Sequence, residues 1–331
     1  MSVPVAVSIP PDAWAMSVTT SRRTSCLFLV LVPFLLGSGP DHESARKDPP
    51  AGYTLASVQG TYALSYVFTA FKDNDSAALG LARFDGQGRF EGSFIQNWPG
   101  PVCRLPADTR CVAPGTNVGT YTMNEDGIGH ITLTNTFSGH DPGAGTTQLS
   151  FDGVVTQARA GRASRLATEI FNIQAERSFV QSIGGLASGV AKRLPAEGEF
   201  RTESLRGAYA VGSVVGAIPS GALGVATFDG SGSVSSTLTV NLRRTRGDRQ
   251  VIRGIVGVGT YSVNADGTGA FTLTSTHPDG SSLGEGNFDL VVMQAEVAGS
   301  LKVAREFFAI QREPGALSKA VVALVFKKLP D

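Results

Sequence analysis

The chain has 331 residues, 28 basic against 28 acidic side chains, 17% charged residues and 40 glycines. A zero formal charge leaves nothing to draw it towards nucleic acid or an anionic surface, and an apolar fraction of 42% excludes global disorder. Low charge with abundant Gly, Ser and Thr suits short strands joined by tight turns, not a long helical protein.

Residues 1–50 read as a signal-like segment and polar linker. Arg22 and Arg23 precede the apolar run Cys26–Leu36, and Gly37, Ser38 and Gly39 follow it. A basic patch, a short apolar stretch and a small-residue exit form the layout of a secretory signal. The run is short for a bilayer span, so membrane contact is expected only through this segment if it is not cleaved. Met16 would give a leader of more usual length than Met1. Pro40, Asp41, His42, Asp48, Pro49 and Pro50 make the linker. Secretion or residence in the cell envelope is the expectation.

The remainder reads as two copies of one unit, 51–198 and 199–331. Ala78-Leu79-Gly80-Leu81-Ala82-Arg83-Phe84-Asp85-Gly86-Gln87-Gly88 recurs as Ala222-Leu223-Gly224-Val225-Ala226-Thr227-Phe228-Asp229-Gly230-Ser231-Gly232. Val118-Gly119-Thr120-Tyr121, running to Asn124-Glu125-Asp126-Gly127, recurs as Val258-Gly259-Thr260-Tyr261, running to Asn264-Ala265-Asp266-Gly267. Glu169-Ile170-Phe171-Asn172-Ile173-Gln174 answers Glu306-Phe307-Phe308-Ala309-Ile310-Gln311, and Ala191-Lys192-Arg193-Leu194-Pro195 answers Phe326-Lys327-Lys328-Leu329-Pro330. The order is preserved, and the period far exceeds that of a solenoid repeat.

Asp-Gly supplies the positive φ of a tight hairpin, so each Phe-Asp-Gly-x-Gly and Asn-x-Asp-Gly-x-Gly is a turn. These stretches lack the spaced carboxylates and closing Glu of a calcium loop. Between the turns lie strands at roughly 59–70, 77–84, 88–97, 116–123, 129–137, 147–156, 164–174 and 184–194. The second copy gives roughly 205–216, 221–228, 232–243, 249–263, 268–276, 285–294, 302–311 and 318–329. Alternation is clearest in His130-Ile131-Thr132-Leu133-Thr134 and Ala270-Phe271-Thr272-Leu273-Thr274. The expected fold is all-β: two tandem antiparallel, roughly eight-stranded β-barrels, since closure removes exposed edges.

The succession of Phe-Asp-Gly-x-Gly and Gly-Thr-Tyr-x-Met/Val-Asn-x-Asp-Gly-x-Gly turns resembles bacterial secreted lipocalin-like, or calycin, barrel domains, over about 60–195 and 205–330. The resemblance implies a barrel that carries an apolar ligand, or a cyclase of the allene oxide cyclase kind; tandem barrels of this sort also occur in pericyclase-type enzymes. It transfers no catalytic residue, because the shared motifs are turns. The lipocalin Gly-x-Trp signature is absent: Trp14 and Trp98 fall outside it.

Candidate site residues follow from parity and composition. Glu169 shares a strand face with Phe171 and Ile173, and Glu306 shares one with Phe308 and Ile310. If those faces point inward, each barrel holds one carboxylate, which needs a partner or ligand or serves as a general acid. The opposite parity makes each an ordinary surface glutamate. The first copy is richer in aromatics, with Tyr62, Tyr66, Phe68, Phe71, Phe94 and Trp98, and Glu91, Asn97 and Asn135 are polar supplements. Such a set suits a largely apolar pocket with a few orienting groups, in the first barrel or where the barrels meet. The candidate set is therefore Glu169 as a catalytic group, with Tyr62, Tyr66, Glu91, Phe94, Trp98, Asn135, Phe171 and Glu306 as ligand contacts. Cys103 and Cys111 in an exported chain would staple one small loop.

No nucleophile elbow, His-Glu-x-x-His or phosphate-binding glycine loop occurs, and His42, His130, His140 and His277 form no ligand spacing, so no metal and no cofactor is expected. The basic cluster Arg243–Arg249 lacks an aromatic platform for nucleic acid. The expected partner is a small hydrophobic or amphipathic molecule. A cofactor-free isomerase or cyclase, and a structural or surface protein with filled barrels, are the alternatives.

Overall fold

The structure is a computed structural model that describes residues 52–69, 76–99, 110–138, 146–161, 164–175, 186–215, 221–243, 249–312 and 322–330. The signal-like segment, its linker, Cys103, His140 and most of the Arg243–Arg249 cluster lie outside the described residues. Strands β1 (Gly60–Thr69), β2 (Ser76–Phe84), β3 (Arg89–Pro99) and β4 (Arg110–Met123) open the first barrel. It closes with β5 (Ile128–Phe137), β6 (Thr146–Ala160), β7 (Arg165–Gln174) and β8 (Leu186–Arg193), which pairs with β1. The second barrel runs β9 (Arg206–Val215), β10 (Gly221–Asp229), β11 (Ser233–Arg243) and β12 (Arg249–Val263). It ends with β13 (Thr268–Thr276), β14 (Ser282–Ala298), β15 (Leu301–Gln311) and β16 (Ala323–Lys328). Both are closed, fully antiparallel meanders of eight strands.

The turn residues form the expected hairpins. Gly86, Gly127, Gly230 and Gly267 have φ between 80° and 93°. Asp85 Oδ1 accepts hydrogen bonds from the Gln87 and Arg89 amides, as Asp229 Oδ1 does from Ser231 and Ser233. The strand reading did not anticipate a 3₁₀ turn ahead of each barrel, at Leu55–Val58 and Thr202–Ser204. Both turns plug the barrel end below the hairpins. Tyr121 donates to the Leu55 carbonyl at 3.0 Å, and Tyr261 to Leu205 at 2.7 Å.

Register fixes which side chains enter each barrel and also matches the copies residue by residue. The Asn117–Asn135 cross-strand pair corresponds to Gly257–Ser275, and the Val154–Phe171 pair to Val291–Phe308. In the second barrel the interior is solid aromatic. Phe307 stacks on Phe326 at 4.2 Å and Phe271 on Phe288 at 4.6 Å. Phe228 meets Tyr209, Tyr261 and Phe307 edge-on at 5.0 to 5.5 Å, the offset geometry that ring quadrupoles favour.

The barrels pack wall to wall. Outward residues of β1 and β2 (Ala63, Ala77, Leu79) share one continuous core with outward residues of β14 and β15 (Val291, Met293, Phe308, Ile310). Asn97, on the outer face of β3, donates to the backbone carbonyls of Gln311 and Arg312. The buried Asp289 is held by the Arg312 guanidinium through two hydrogen bonds.

Phe326 is fully buried in this packing. Phe326→Ala is expected to cost about 3–5 kcal/mol by the usual scale for emptying a packed aromatic site, read from urea unfolding.

Candidate functional site

The first barrel keeps a cavity of about 50 Å³, room for a few waters or a small ligand group. Its wall is mainly apolar, built from Leu64, Phe84, Phe90, Leu133 and Phe151 among others. The matched positions explain why the cavity is in this barrel. Where the second barrel carries Phe271, Leu290, Phe307 and Phe326, the first has Ile131, Gly153, Ile170 and Ala191. Large side chains at four corresponding places fill one interior, and smaller ones leave space in the other.

Amides line that space. Asn117, Asn135 and Asn172 are all buried against the cavity, and the Oδ1 atom of each has no hydrogen-bond partner among the described residues. Their counterparts are Gly257, Ser275 and Ala309. Glycine on the neighbouring strand makes room for two of them. A Cβ at Gly92 would stand 2.5 Å from Asn117 Oδ1, and one at Gly153 2.6 Å from Asn172 Oδ1. A buried carbonyl without a donor costs about 1–3 kcal/mol, so these three are acceptors that a hydroxyl or amine donor in the cavity would satisfy. Gln96 also lines the cavity, but its amide donates to Ser76 Oγ at 3.1 Å.

Of the sequence candidates, Tyr66, Phe94 and Asn135 line the cavity together. Burial raises the Tyr66 phenol well above its ordinary value of 10.0, so it is neutral at every physiological pH. Trp98 is buried beside them, stacked near Phe68 and edge-on to Phe137, and its indole Nε1 has no acceptor among the described residues. Tyr62 points inward but is already committed: it donates to the Ala167 carbonyl at 2.7 Å, as Tyr209 does to Ala304. Burial pushes its pKa up to about 12, with the Arg193 charge opposing. Glu91 is exposed on the outer face of β3. Cys111 faces Trp98 across β3 and β4 and is disulfide-bonded, while its expected partner Cys103 is outside the described residues.

Of the two parities open for the glutamate face, the outward one holds. Ile170 and Asn172 point into the first barrel, so Glu169, Phe171 and Ile173 point out, and the latter two are exposed. Glu306 is buried, at the seam between the barrels. Lys192 joins the two carboxylates, at 3.1 Å from Glu169 and 2.8 Å from Glu306, with Lys327 at 3.7 Å from Glu306. Burial alone would raise the Glu169 pKa, but the Thr156 hydroxyl at 2.8 Å and the Lys192 ammonium outweigh it and hold the carboxyl below its ordinary range. Burial likewise opposes the charge on Lys192, and its two carboxylate partners outweigh that and raise its pKa. Glu169 is therefore an ionised seam residue with no access to the cavity.

Sequence reasoning missed Asn117 and Asn172 as cavity residues. The signal was present in the repeat, where Asn172 answers Ala309 and Ala191 answers Phe326.

No family model and no curated protein matches the chain. Among solved structures, it is similar to immune modulator A of Aeromonas veronii, at 8% identity over 85% of this chain and 94% of that one, with a TM-score of 0.22. It is also similar to a variant of the vaccine antigen transferrin binding protein B from Haemophilus parasuis. That match is 9% identical over 85% of this chain and 77% of that one, with a TM-score of 0.22.

The seam charges give a pH-dependent prediction. A depressed carboxyl pKa contributes stability above its unfolded value, lost as pH falls below the ordinary 4.5. The raised Lys192 pKa contributes below 10.5 and is lost as pH rises beyond it. Lys192→Met removes the cation shared by two carboxylates, which keep only Lys327 and the Thr156 hydroxyl among the described residues. It should cost about 1–3 kcal/mol at pH 7, a difference that narrows in acid as Glu169 takes up its proton. Urea titrations of both proteins across pH 3 to 8 check this.

Proposed function

We propose that the chain is an exported protein that binds a small amphipathic molecule inside its first barrel, the second barrel acting as a packed support. The observation that carries this reading is the set of three unpartnered amide oxygens around a cavity whose counterpart is filled with phenylalanine. Such a site selects a compact apolar body carrying hydroxyl or amine donors, because each donor relieves a buried acceptor. A volume of about 50 Å³ restricts a rigid pocket to a small group, so a larger ligand enters only if the aromatic end around Phe68, Trp98 and Phe137 moves apart. Export rests on the basic-apolar-small layout at 22–39, and the Cys103–Cys111 pairing belongs to the same reading.

The isomerase or cyclase alternative takes Glu169 or a tyrosine as the group that steers a proton or charge in the pocket. Glu169 is outside it and held ionised by Thr156 and Lys192, which leaves binding as the better-supported reading.

The test is native mass spectrometry of the chain purified under mild conditions, followed by extraction of any retained compound. A reproducible adduct of defined mass is expected, lost in Asn135→Ala and Asn172→Ala. Asn172→Ala should also raise the stability of the ligand-free protein by about 1 kcal/mol, since it removes a buried carbonyl without a donor while giving up only the long 3.5 Å bond from its amide to the Ile170 carbonyl. Adduct-free protein, together with a loss of stability in Asn172→Ala, would sink the proposal.

A further inference from the structure

The seam between the barrels is head-to-tail: it uses the β1–β2 face of the first barrel and the β14–β15 face of the second. These faces are not equivalent within the repeat. Each barrel therefore also carries the face that its sister uses, and leaves it open. On the second barrel, Leu223 and Val225 are the counterparts of Leu79 and Leu81, and they are 64% and 41% exposed. On the first barrel, Val154, Phe171 and Ile173 are the counterparts of Val291, Phe308 and Ile310, and they are 42%, 43% and 43% exposed. Ile128, Val154 and Phe171 form one continuous cross-strand row over β5, β6 and β7. In the sister barrel, Val291 and Phe308 are buried within the seam core.

We propose that these two open faces dock on each other between copies, so that the chain self-associates head-to-tail through a repeat of its own internal seam. The occupant is a second copy, because the structure already shows the two face types seated together. Leu79 packs in one core with Val291, Phe308 and Ile310, and the intermolecular seam sets Leu223 against Val154, Phe171 and Ile173. The residue types correspond closely: leucine is kept at 79 and 223, valine at 154 and 291, phenylalanine at 171 and 308, isoleucine at 173 and 310. In each barrel one strand, β8 or β16, separates the used face from the open one on the short side of the wall, and the open residues stay exposed with the seam occupied. A heterologous contact of this kind has no intrinsic stop. It either closes into a ring or runs on as a filament.

The experiment is sedimentation velocity on the whole chain over a wide concentration range, with Phe171→Glu and Leu223→Glu as variants. Both positions are exposed, and unchanged thermal unfolding confirms that each variant is folded. Wild-type chains are expected to grow beyond dimers with concentration, and each variant alone to remain monomeric. An equimolar mixture of the two variants should form 1:1 dimers and nothing larger, since each supplies one intact face. A wild-type chain that stays monomeric at all concentrations overturns the proposal. So does association that survives both substitutions, or that is lost with only one of them, which would indicate a face pairing with itself.

Discussion

Closing eight strands into a wall fixes the space inside before any side chain is chosen. The width of such a barrel follows from strand number and stagger, and eight strands leave room for one layer of interdigitated side chains or for one small guest. Each alternate residue must enter that space, so its size decides between a solid core and a hollow one. The two copies share the wall and differ in the filling. Phe326 against Ala191 and Phe307 against Ile170 account for much of the difference, while the hairpins, the tyrosine bonds to Ala167 and Ala304 and the 3₁₀ plugs are common to both.

The hollow barrel is not simply an underpacked copy. A void lined only by hydrocarbon would cost stability and offer nothing in exchange. Here Asn117, Asn135 and Asn172 turn polar atoms into the space, and Gly92 and Gly153 are kept small so that two of the amides fit. Polar groups held without protein partners in an apolar interior are expensive, and each is met in native cores by a bound water, an ion or a functional contact. The seam has the reverse character. Glu169, Lys192 and Glu306 are mutually paired and serve the joining of the barrels.

The fold was largely legible in the sequence because Asp-Gly turns and period-2 alternation are local signals, and a second copy repeats them in order. The direction of the Glu169 face was not legible. Strand β15 is buried on both sides, inward by Phe307 and Ala309 and outward by Phe308 and Ile310 against the first barrel. An apolar residue at every position erases the parity signal. In β7 the more apolar face, with Phe171 and Ile173, is the outer one, so hydrophobicity pointed the wrong way. Aromatic content pointed to the barrel that holds the cavity, but not to what fills the other one. The first copy is richer in rings over β1 and β3, while the rings that fill the second barrel come from β9, β10 and β12 to β16. Asn172 escaped notice because an amide between two apolar residues reads as an ordinary outward position.

The core that joins the barrels has a further consequence for how such a chain changes over generations. Ala63, Ala77 and Leu79 belong to the same apolar cluster as the interior of the second barrel. Cutting the chain between copies would strip a whole wall from each half, so neither copy is a free module that recombination could move alone. The shared wall makes the pair of barrels, not the single barrel, the unit that folds.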